Sequence, residues 1–199
     1  PQSLTYTLYS MEPDGSDIIC LSFHETNEWA PSVGHDGKLV YTRWDYVDRH
    51  WGTAHHFWEC LPDGRDPRNY HGNYPLPWHT FPDNTLKDSR DGRPYTEMSI
   101  RQVPFSPLYI MTAAPHHGEA FGSLVMLNLG VPHDGNMSQL KRITPSAPFP
   151  ETESAARSQY PYGTAWPLSE DFYLCNWWEN IYLLDRFGNQ VLLVENALA

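Results

Sequence analysis

Two histidine pairs, a few charged residues and several tryptophans hold the chemistry available to this sequence. "AAPHHGEAFGSL" (113–124) carries His116, His117 and Glu119. These types supply metal ligands or a general base. Neighbouring histidines cannot point the same way from a regular strand, but in a loop they can. His116 and His117 are therefore the candidate metal pair, although no H-x-x-x-H spacing fixes a site. The plainer alternative has one ring bonded within its loop and the other solvated. "RWDYVDRHWGTAHH" (43–56) adds a second pair, His55 and His56. Its Arg43, Asp45, Asp48 and Arg49 either brace one another or clamp a carboxylate or sulfate of a ligand. In "HETNEW" (24–29), His24, Glu25 and Glu28 offer acid/base groups or caps for backbone amides. Glu28 stands where a loop enters a strand and can face a channel. Trp177, Trp178 and Trp44 either stack on sugar rings or fill a core.

Other chemistries lack their motifs. There is no G-x-S-x-G, no Gly-rich phosphate loop and no H-E-x-x-H, so serine hydrolase, nucleotide and zincin readings find no local support. The cysteines, Cys20, Cys60 and Cys175, form no C-x-x-C, which argues against thiolate zinc and dithiol redox sites. No cofactor is expected, though a transition metal is possible. The net charge is −11, from 24 acidic and 13 basic residues, which disfavours nucleic acid or an anionic membrane as partner. No apolar run approaches the roughly 20 residues of a membrane helix.

The elements that must position these residues are short strands. The 199 residues include 18 Pro and 13 Gly, with 14% aromatics, a composition for turns and strands rather than long helices. "LYSMEPDGSDIICLS", "FWECLPDGRDPRNY", "LVMLNLGVPHDGNMSQLKRIT" and "IYLLDRFGNQVLLVEN" each read strand, Gly turn, strand. A second hairpin type alternates with them: "WAPSVGHDGKLVYTRW", "EMSIRQVPFSPLYIMTAA" and "YGTAWPLSEDFYLCNWW". Four strands per repeat is the pattern of a β-propeller blade. The fold expected is all-β, a partial or open propeller of about three and a half blades. It comprises a half blade over 1–28 and blades over about 29–70, 97–144 and 162–196. Gly15, Gly64, Gly135 and Gly188 are 49, 71 and 53 residues apart, against the 40–50 usual for such repeats. Long loops are therefore assigned to 71–96 and 145–161. A sandwich or ordinary barrel is the competing all-β architecture.

Antiparallel alternation then sorts the connections into two ends. One end receives the tight turns. The other receives the long loops, with eight of the ten histidines, among them His24, His55, His56, His71, His116 and His117. Loops aimed together by a rigid scaffold commonly carry function.

The first of these units, "LYSMEPDGSDIICLSFHETNEWAPSVGHDGKLVYTRWD", resembles the TolB-type propeller repeat. With "VYTRWDYVDRH" and "APHHGEAFGSL", most of the chain is similar to the middle, propeller domain of the hydrazine synthase alpha subunit and to related exported bacterial proteins. The resemblance implies a propeller, a periplasmic or extracellular location and a place in a larger assembly. The chain departs from that multihaem enzyme in having no C-x-x-C-H, so no covalent c-type haem is expected in it. The function expected is a non-catalytic binding or scaffold module presenting its His/Trp/Arg face to a ligand, with carbohydrate one candidate, or to a protein partner. The partner is the rest of a longer chain or a second copy covering open edges. The alternatives are a metal-assisted lyase or hydrolase on acidic polysaccharide and a domain of a redox assembly.

Overall fold

The computed structural model describes residues 5–45, 55–72, 94, 96–116, 120–132, 139–144, 147 and 161–197. These residues form thirteen strands and no helix. β1 (Tyr9–Ser10) and β2 (Ile19–Cys20) make a half unit. β3 (Asn27–Val33), β4 (Leu39–Trp44) and β5 (His55–Cys60) make the first unit, and a bridge between Glu59 and Arg68 adds a minimal fourth strand. The second unit is β6 (Thr96–Gln102), β7 (Leu108–Ala114), β8 (Ser123–Asn128) and β9 (Leu140–Arg142). The third is β10 (Tyr162–Pro167), β11 (Phe172–Trp177), β12 (Asn180–Asp185) and β13 (Gln190–Val194). Each unit is an antiparallel meander. Among the described residues, one parallel pair, His55 with Thr96, joins the first two units into a seven-stranded sheet.

Local sequence explains the turns. Asp14, Asp36, Asp63 and Asp185 each accept a hydrogen bond from the backbone N–H two residues on, at 2.8–3.1 Å. This side-chain turn lets an Asp reverse the chain. The following Gly15 and Gly64 sit at φ near +86° and +81°, where a Cβ is disfavoured. Asp17 and Asp66, two residues beyond, share a left-handed backbone as well, so the half unit and the first unit match residue for residue here.

The first strands match in the same way. Each carries a bulge, between Trp29 and Ser32, Met98 and Arg101, and Tyr162 and Ala165. Each hairpin closes alike, Gly34 N to Lys38 O, Val103 N to Leu108 O and Leu168 N to Phe172 O, at 2.8–2.9 Å. That register makes Glu28, Glu97 and Tyr162 equivalent, and likewise Ser32, Arg101 and Trp166.

The core lies between units. Leu8 and Leu21 meet Tyr41 and Cys60; Val40 and Phe57 meet Ile100, Met111 and Val125; Ile110, Leu124 and Met126 meet Tyr173, Cys175 and Leu184. Burying a side chain of this size contributes about 1.5–3 kcal/mol, so stacking of units is the main source of order. Polar ties reinforce it: Thr112 Oγ1 donates to Gly163 O at 2.7 Å, and Ser32 Oγ to Ile100 O at 2.7 Å. The first strands β3, β6 and β10 thus lie side by side.

Candidate functional site

Four rings from two units close around a hollow of about 470 Å³. Trp29 stands just before the β3 bulge, and Ala30 within it adopts φ +49°, a left-handed conformation for a residue with a Cβ. Bulges re-aim side chains, and this one puts Trp29 against Trp44, stacked at 5.8 Å between centroids. Trp44 ends β4 directly opposite His55, the first residue of β5. Their rings are 4.6 Å apart. His116, just beyond β7, completes the group at 4.6 Å from His55 and 5.2 Å from Trp44. Thr96, Met98, Ala114, Pro115 and Ala120 form the remaining wall. No charged residue lines it among the described residues, so it suits a neutral ligand with a flat face, with two imidazoles as the polar edge.

The sequence reading placed His55 and His56 in a loop, equivalent to His116 and His117. The structure corrects this. His55 and His56 open strand β5, so period-two alternation sends them to opposite faces. His55 faces the hollow. His56 turns inward, buried, with Nε2 3.2 Å from Pro94 O. The position equivalent to His55 in the second unit is Gly122, not His116; His55 and His116 nevertheless meet.

Glu28 does not face a channel. Its side chain is 1% exposed. It accepts from Ser22 Oγ at 2.6 Å and pairs with His24 Nε2 at 2.9 Å. Arg43 lies 3.9 Å from it and 3.5 Å from Asp45, with its guanidinium over the Trp58 ring. The bracing alternative thus describes Arg43 and Asp45.

Glu97, equivalent to Glu28 and absent from the sequence candidates, anchors a second buried cluster. His71 Nε2 pairs with Glu97 Oε1 at 2.7 Å, while His71 Nδ1 pairs with Gln139 Oε1 at 2.8 Å. The orientation of Gln139 follows from its Nε2, which donates to Val131 O. That orientation makes His71 Nδ1 the donor to Gln139, and leaves His71 and Glu97 as a buried pair, 1% and 0% exposed. Burial alone would raise the Glu97 pKa. The adjacent His71 and His56 charges and the hydrogen bonds outweigh it and hold the carboxyl below its ordinary value. Phe57 N–H also points at Glu97 Oε2, at 3.3 Å. The clue in the sequence was the repeated Glu before each bulge, "EW" at 28–29 and "EM" at 97–98.

Trp177 and Trp178 do not reach the hollow. Trp177 stacks on Tyr162 at 6.0 Å, and Trp178 turns the chain after β11 at φ +57°. Arg49, His117 and Glu119 lie outside the described residues, as do most of the two long loops. Among the described residues, no group of three His, Cys, Asp or Glu is placed to hold a metal ion. All three cysteines are free thiols. No described helix is long and apolar enough to cross a membrane.

No protein-family model matches the sequence, and no curated protein does. Among solved structures, the chain is similar to a chain of Kuenenia stuttgartiensis hydrazine synthase, with a TM-score of 0.61 and 13% identity over 89% of this chain. It spans 21% of that chain's length. At this identity the likeness concerns the fold alone.

Proposed function

We propose that the chain is a sector of a β-propeller, from an exported bacterial protein, that binds a small neutral ligand in the four-ring hollow and performs no chemistry on it. The observation that carries this is the convergence of Trp29, Trp44, His55 and His116 across a junction between units. Stacked meanders with adjacent first strands support the propeller, as does the likeness to the hydrazine synthase chain. The exported location rests on the sequence resemblance.

A ring-shaped ligand with an apolar face fits best. A sugar ring laid on Trp29 and Trp44 would turn its hydroxyls to the imidazoles. A protein partner has its own place, the outer face of the third unit, where Leu174, Leu183 and Val191 form a cross-strand apolar row and Val191 is 61% exposed. The equivalents of Leu174 in the earlier units, Val40 and Ile110, are buried by the unit that follows.

The test is ligand-observed NMR with neutral monosaccharides and neutral bicyclic aromatics, against wild type and Trp44→Ala. At least one ring compound should bind and lose roughly tenfold in affinity in the variant, the size of one lost stacking contact. Binding by nothing in the panel, or equal binding to a folded Trp44→Ala, would sink the reading.

A further inference from the structure

The tight-turn end of the first strands holds a second hollow, of about 320 Å³. The sequence reading treated this end as structural turns. Three equivalent positions meet there, one from each unit: Ser32, Arg101 and Trp166. A repeat arranged side by side brings such positions together, and here the three units supply a hydroxyl, a cation and an aromatic face.

Arg101 is the unusual member. Its guanidinium lies 4.4 Å from the centroid of the Trp166 ring. Its Nε is buried with no hydrogen-bond partner. Lys38, Arg43, Arg65, Arg68 and Arg186 each meet a carboxylate. Arg101 meets none among the described residues, in a chain with 24 acidic residues to 13 basic ones. The polar neighbours are already engaged. Ser32 Oγ donates to Ile100 O, Gln102 Oε1 accepts from His35 N, and Gln102 Nε2 donates to Ser106 O. Apart from the exposed His35 ring, the rest of the wall is apolar: Val33, Pro104, Pro167 and the exposed face of Trp166.

The geometry points to an organic-anion subsite, one that takes a monocarboxylate carried on a flat apolar body. A guanidinium lying over an indole keeps its planar fork open at the edge, the shape that pairs bidentately with a carboxylate. One cation balances one negative charge, which disfavours phosphate dianions. Beyond Arg101 and the His35 ring, a polyhydroxylated sugar finds only side chains already hydrogen-bonded within the protein. The flat body rests on Trp166 and the two prolines. This inference is independent of the four-ring hollow.

The experiment is a titration of phenylacetate followed by proton NMR, with phenylacetamide as the uncharged isostere and inorganic phosphate as the competing anion. Saturable phenylacetate binding is expected. It should weaken roughly tenfold or more in Arg101→Gln and less in Trp166→Ala. Arg101→Lys should rescue only part, because an ammonium lacks the fork. No saturation up to about 10 mM phenylacetate, equal binding of the amide, or equal binding by a folded Arg101→Gln would overturn the assignment. Competition by phosphate as effective as by phenylacetate would also overturn it, by reducing the site to a bare charge.

Discussion

Glu28 and Glu97 occupy the same position in successive units and are satisfied in different ways. At the first junction Ser22 Oγ accepts from Leu8 N–H and donates to Glu28, so a neutral hydroxyl links strand and carboxylate. The third junction, where Tyr162 replaces the glutamate, keeps this device: Thr144 Oγ1 accepts from Leu124 N–H at 2.9 Å. At the second junction His71 stands in the place of Ser22 and Thr144. Both His71 nitrogens are engaged, by Gln139 and Glu97, and the Phe57 N–H points to Glu97 instead. One change of residue type therefore replaces a hydroxyl link by a histidine–carboxylate pair. The lesson is that a repeated backbone fixes where a polar group sits, while its neighbours decide which group satisfies it.

This contrast can be broken most severely at Glu97. Glu97→Gln breaks the buried pair with His71 by removing its carboxylate, a loss of about 3–5 kcal/mol. In a chain of this length that lowers the melting temperature by on the order of 10 °C. Glu28→Gln should cost only about 1–2 kcal/mol, because Ser22 and His24 still find an oxygen and Arg43 keeps Asp45. Calorimetry on both variants decides; equal losses would erase the distinction.

Acid sharpens the contrast next. The Glu97 carboxyl has a lower pKa folded than unfolded, where it is near 4.5. Its stabilisation is therefore complete above that value and is lost as pH falls below it, through the folded value. Wild type should lose stability on acidification below about pH 4.5, with a shallower slope in Glu97→Gln. Denaturant midpoints measured across this range give the comparison.

Ser22→Ala probes the first junction alone. It removes the acceptor for Leu8 N–H and one donor to Glu28, for about 1 kcal/mol, and should leave the acid slope unchanged. Urea melts at two pH values suffice.

The smallest effect concerns a thiol. Burial first, and then the Glu28 charge, push the Cys60 pKa up to about 11, while burial alone holds Cys175 at about 12. Glu28→Gln should lower the Cys60 value and leave Cys175 in place. The pH dependence of alkylation of each thiol, followed by mass spectrometry, reads this out. Both should react far more slowly than the less buried Cys20.

The parts legible in the sequence were those fixed locally. Asp-Gly turns announce themselves because one carboxylate and one glycine suffice to reverse the chain, and all-β character followed from the hairpins they bound. The site was legible only in part. His55, His116 and Trp44 were singled out. Which of His55 and His56 faces the hollow depends on where β5 begins, and a shift of one residue exchanges them. Glu97 and His71 lie 26 residues apart, across a segment with no periodicity to follow, and Gln139 is farther still. Pairings of that kind are set by how units stack, which no local pattern encodes.

The single pair between His55 and Thr96 has a mechanical consequence. Within a unit, strands are held by ladders of several bonds; among the described residues, the backbone of the first two units is fastened at one point. Relative twist of these units is therefore resisted by side chains, and stiffness across the seam is low compared with stiffness along it. His55 and Thr96 both line the four-ring hollow, so the fastening point is also the pocket wall. A ligand wedged between Trp44 and Met98 would act as a strut across the seam, and the twist of the two units would vary with what the hollow contains.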